Sequence, residues 1–118
     1  MATSLARKLV GALAAGAAAL GAGQAQAFDW GGVTAHVVMV EATYMPTRVT
    51  FIVDQPAGTC AAGQVLGWTS TGSDSTQLTA QGSAVLSLLM TAQVSGRPIT
   101  IFGYNSGCSV AFIHLGSI

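Results

Sequence analysis

The spacing of apolar positions changes period once along this chain, and the change separates two kinds of element. From Val33 to Ala42 the chain reads VTAHVVMVEA. This near-continuous apolar run predicts a first strand buried on both faces. TYMPT follows, with Pro46 as turn punctuation. Arg48–Asp54 then alternates, with Val49, Phe51 and Val53 facing one way and Thr50, Ile52 and Asp54 the other. The short connection through Pro46 predicts a hairpin, and Glu41 is expected to pair with Arg48 across it. QPAGTCAAG is a Pro- and Gly-rich loop carrying Cys60, and Gln64–Trp68 reads as a third strand.

After the polar stretch TSTGSDSTQ the period becomes helical. In LTAQGSAVLSLLMTAQVSG, the residues Leu78, Val85, Leu89 and Ala92 recur near helical spacing, with Leu86, Leu88 and Met90 widening the face. Thr76 or Thr79 is the expected cap. Gly82 weakens the first turns, and Gly96 stops the helix. RPITIFGY predicts a fourth strand with Pro98 at its start. NSG is a turn, and Cys108–Gly116 is the fifth strand. The fold class is therefore mainly β with one helix. The order β-β-β-α-β-β predicts a five-stranded OB-like barrel, with an α+β sheet as the rival.

The first 27 residues stand apart from this pattern. Arg7 and Lys8 precede an alanine-rich apolar run from Leu9 to Ala22, and AQA at Ala25–Ala27 is a small-x-small cleavage site. This is the pattern of a secretory signal peptide, and the run is shorter than the roughly 20 residues that span a bilayer. Residues 1–27 are thus expected to be a cleaved leader and 28–118 a single domain without a membrane span, periplasmic or secreted. Without the leader, the fixed charges are Arg48 and Arg97 against Asp29, Glu41, Asp54 and Asp74. Two arginines do not supply the clustered cations that nucleic acid requires. Nor do they supply an anionic-membrane patch. So charge-poor a surface favours burial in an oligomer or complex.

Cys60 and Cys108 are the only cysteines, and in an oxidising compartment they are expected to form a structural disulfide. Catalytic and metal chemistry find little support. His36 and His114 both fall on strands without HxxxH or CxxC spacing, so packed or hydrogen-bonded histidines are expected and no metal or other cofactor is assigned. YNSGCS around Ser106 faintly echoes a serine-protease motif, but nothing places a base and an orienting acid beside it. Ser106 reads as a turn residue, and the protein as a non-enzyme. Trp68 ends a strand and reads as core. Trp30 and Tyr104 lie in loop-like positions flanked by small polar residues, where flat rings suit the apolar face of a sugar. Asp29, Trp30, Tyr104 and Asn105 are therefore the candidate ligand-binding residues.

The run AVLSLLMTAQVSG, RPITIFGY, Cys108 and VAFIHL, preceded by VTAHVVMVEA, RVTFIVD and GTC, resembles the subtilase-cytotoxin-type B subunits and their small secreted relatives. That resemblance implies an OB-fold, a ring pentamer, glycan recognition, and a ring that carries a separate toxic subunit. In that family a serine-and-acid stretch before the first strand and a tyrosine near the last turn bind sugar. Here the corresponding positions read FDWGG, with Asp29 but no serine, and Tyr104. Two partner classes follow for the chain. One is a glycan, met by a B-subunit-like module. The other is an envelope protein, met by a structural or inhibitor-type chain.

Overall fold

A computed structural model describes residues 27–117. The expected leader lies, but for its last residue, outside the described residues. The described chain runs β1 (Trp30–Ala35), β2 (Val37–Glu41), β3 (Arg48–Val53), β4 (Leu66–Thr69), α1 (Ser75–Ser95), β5 (Ile99–Tyr104), a 3-10 turn (Ser106–Cys108) and β6 (Ser109–Leu115). The strands form one mixed, open six-stranded sheet in the order β1-β5-β6-β4-β3-β2. The β4–β6 pair is parallel and all other neighbours are antiparallel.

This corrects the five-strand count. The segment expected as one strand, Val33–Ala42, starts earlier, at Trp30, and is broken at His36. The break has a visible cause. The His36 N–H donates to Asp54 Oδ1 at 2.8 Å, the Asp54 N–H donates to the His36 carbonyl at 3.1 Å, and His36 Nδ1 lies 3.4 Å from Asp54 Oδ2. His36 is thereby pinned to the end of β3 and drops out of the ladder. The broken halves are the two ends of the sheet order, yet one residue joins them. The sheet must therefore curl until its ends approach one another.

The concave side of this curl is the core. Direct cross-strand neighbours share a face, and the row Trp30–Gly103–Val110–Trp68–Val49 runs through successive pairs across β1, β5, β6, β4 and β3. Its side chains are buried, together with Phe51, Leu66, Ile99 and Ile101. The expectation that the first strand is buried on both faces fails in β2, where Val38 is 56% and Met39 41% exposed. β2 is an edge strand with a register shift between Val37 and Met39, and α1 packs against it more than against any other strand while leaving these two side chains exposed. One contact is the Gln93 Nε2–H bond to the Val38 carbonyl at 3.0 Å.

α1 presses Leu89, Ala92 and Gly82 inward. Gly82 is there for close approach, since a Cβ at that position would stand 2.8 Å from the Pro46 carbonyl. What reads in sequence as a weak turn is the point where the helix meets the β2–β3 connection. The cap is Asp74, in place of the expected Thr76 or Thr79. Asp74 Oδ1 accepts the Gln77 N–H at 2.9 Å, and Gln77 Oε1 accepts the Ser73 N–H at 2.8 Å. Capping needs an extended residue just before the first turn, and Asp74 has that backbone (φ −140°, ψ 172°). Asp74→Ala is expected to lower stability by about 1 kcal/mol, read as a lower urea midpoint at unchanged slope. At the other end Gly96 terminates the helix with φ 72°, as the sequence predicts.

Cys60 and Cys108 are disulfide-bonded with 5.9 Å between their Cα atoms. The bond ties the loop after β3 to the turn before β6. No helix among the described residues is long and apolar enough to cross a membrane.

Candidate ligand-binding site

The face opposite the core begins with the alternation of β5 and β6. Ile99 and Ile101 point inward, so Phe102 and Tyr104 do not, and Phe102 is paired with Phe112 of β6. These rings gather on the outer surface around Phe28. The Phe28 ring lies 5.4 Å from Phe112, 5.5 Å from Tyr104 and 5.9 Å from Phe102, centre to centre, and His114 stands edge-on to Phe102 at 5.6 Å. Tilted and edge-on pairs at such distances are the favoured aromatic geometries. They hold Tyr104 and Phe112 in place although these remain 39% and 54% exposed.

A groove of about 360 Å³ opens beside Tyr104 and Phe112 and runs over the parallel β4–β6 pair. Gly67 and Ala111 contribute to its floor, and Thr69, Thr71 and Ser109 supply hydroxyls along it. One wall is thus aromatic and the remainder small and hydroxylated. The groove carries no cysteine, histidine or acid, and among the described residues no group of three metal-ligating side chains forms.

The four residues expected at a ligand site divide three to one. Asp29, Tyr104 and Asn105 do come together. The Asp29 N–H donates to the Gly103 carbonyl at 3.0 Å, and Asp29 Oδ2 accepts the Asn105 N–H at 2.9 Å. Asn105 Oδ1 in turn accepts the Thr59 N–H at 2.9 Å. Asp29 and Asn105 are therefore spent on fastening the start of β1, the end of β5 and the Cys60 loop to each other. They position Tyr104. Trp30 departs from its expected surface role. It is a core residue, 7% exposed, and its ring lies where Cβ atoms on Gly58 and Gly103 would intrude. Its buried Nε1 has no hydrogen-bond partner. The reason is strand phase: Trp30 is paired with Gly103 and so points with the inward row.

The expected pairing of Glu41 with Arg48 is settled by register. Glu41 does not pair with Arg48. It stands opposite Thr50, whose hydroxyl donates to Glu41 Oε1 at 2.7 Å. Arg48 stands opposite Thr69, and its guanidinium lies across Gly67, in space that a side chain at 67 would need. Ser106 sits in the 3-10 turn, its carbonyl accepting the Ser109 hydroxyl at 3.4 Å. His36 meets Asp54 and His114 meets Phe102.

Sequence reasoning missed Phe28, Phe102, Phe112, Thr69, Thr71 and Ser109. Strict alternation in ITIFGY marks Phe102 as outward-facing. Nothing in the sequence marks Phe28. No family model, no curated protein and no solved structure matches the chain.

Proposed function

We propose that this chain is a secreted or periplasmic, non-enzymatic binding module that recognises glycans in the outer groove, on an OB-like barrel. The observation that carries the reading is the pairing of an aromatic wall, Tyr104 and Phe112, with a hydroxylated floor and rim. A sugar ring has an apolar face and a hydroxyl edge, and this groove offers a surface for each. The barrel reading is supported by the junction at His36. Counted as one bent strand, β1 and β2 give the order first-second-third-fifth-fourth-first, with the third and fifth strands parallel. The disulfide fits an oxidising compartment, in keeping with the leader pattern.

The test is a glycan array followed by titration of any sugar bound. Tyr104→Ala should weaken binding by roughly 30-fold or more, as for a central aromatic contact, with an unchanged melting temperature. A silent array with correctly folded protein would overturn the reading.

The second reading, an envelope protein as partner, is favoured by α1. The helix carries no charged residue, and Met90 and Val94 on it are 50% and 87% exposed. A stoichiometric protein captured from periplasmic extract, with no sugar signal, would decide for it. A solution mass matching five copies would favour the ring pentamer that the family resemblance implies.

A further inference from the structure

At Gly67 the groove meets the Arg48 guanidinium. Tyr104 is paired with Ser109, Ser109 with Gly67, Gly67 with Thr50, and Thr50 with Glu41. Direct partners share a face, and the intervening residues Val49, Phe51, Leu66, Trp68 and Val110 form the core. The row therefore lies on the outer side of the sheet across five strands, aromatic at one end and ionic at the other, with Gly67 and Thr50 buried beneath its middle. Four inter-strand steps make it roughly 19 Å long, longer than a single sugar ring. Its middle residue is glycine, and the Arg48 guanidinium occupies the space above it.

The far end of the row has binding capacity left over. Arg48 lies across Gly67, at the margin of the groove, and among the described residues no carboxylate is within ion-pair distance of it. Glu41 uses Oε1 to accept the Thr50 hydroxyl, leaving Oε2 free of protein donors among the described residues. A guanidinium donor and a carboxylate acceptor on the same face match a vicinal diol, whose two hydroxyls both donate and accept. It does not match an acidic unit, which Glu41 would repel.

We propose that the groove's ligand reaches over the Arg48 guanidinium toward Glu41 and is an uncharged oligosaccharide lying across the strands, with Arg48 and Glu41 as the residues that read its second unit. The proposal rests on the glycan reading above.

The test is calorimetric titration with an oligosaccharide found on the array and with its terminal monosaccharide alone. Wild-type protein should bind the oligosaccharide roughly tenfold or more tightly, the scale of one charge-assisted hydrogen bond. Arg48→Ala and Glu41→Gln should each bring that ratio toward one and leave monosaccharide affinity unchanged, while Tyr104→Ala weakens both ligands. Arg48 is partly exposed and has no ion-pair partner among the described residues, so Arg48→Ala keeps the test valid should Glu41→Gln disturb β2. An undiminished ratio in Arg48→Ala would overturn the extension and leave the glycan reading intact. Tighter binding by Glu41→Gln would overturn it in favour of an acidic unit. A silent array would overturn both.

Discussion

Trp30→Ala is expected to remove about 3–5 kcal/mol of stability, the usual loss when a buried large aromatic is truncated. For a domain of this size that is a fifth or more of a net stability of roughly 5–15 kcal/mol. The expectation follows from position. The ring is 7% exposed and begins the inward row that continues through Val110 and Trp68 to Val49. Gly58 and Gly103 leave it just the room it fills, and neither glycine has a side chain that could move in to occupy a vacated space. Urea denaturation gives the measurement. A Trp30→Ala protein that melts like wild type but loses its ligand would return the ring to the binding surface and sink the core assignment.

Breaking the Cys60–Cys108 bond is the second large expected effect. The bond closes a sequence separation of 48, for which the chain-entropy model gives about 4 kcal/mol. At ~4–8 °C per kcal/mol for a domain this small, a Cys60→Ser/Cys108→Ser variant should melt on the order of 15–30 °C below wild type. The loss should be local before it is global. The bond anchors the Thr59 loop that receives Asn105, and Asn105 is the neighbour of Tyr104. On the glycan reading proposed above, sugar binding by the variant should therefore weaken at temperatures where its sheet is still formed. Coincident melting of wild type and variant would show that the bond adds nothing to the fold.

The elements legible from sequence are those whose pattern is local. β3 occupies Arg48–Val53 because its alternation is clean and its apolar side matches the core. The helix stops at Gly96 because a left-handed residue is needed there. The disulfide follows from there being two cysteines in all. What escaped was set by partners distant in the chain. Trp30 lies beside Gly31 and Gly32, which break a strand's apolar signature, and only its pairing with Gly103 reveals that it points inward. Glu41 takes Thr50 and not Arg48 because the Ala42–Thr47 connection fixes the register, which alternation alone leaves free. Phe112 was hidden by the extra residue in β6 opposite the step from Phe102 to Gly103, which breaks simple counting along that strand. Asp74 was one of several Ser, Thr and Asp residues able to cap α1, and only backbone geometry distinguishes them.

The single-residue joint at His36 has a consequence for how copies of this chain meet. A charge-poor β protein is exposed to edge-to-edge association, which natural sheets resist with lysines along their free edges. This chain has no lysine after Lys8. Its two free edges are instead β1 and β2, six and five residues long, and the bend at His36 stops them from lining up as one long template. A flat strand from Trp30 to Glu41 would offer a neighbouring copy an uninterrupted ladder of N–H and C=O groups. The kink, held by Asp54, gives through geometry the protection that other sheets obtain from charge.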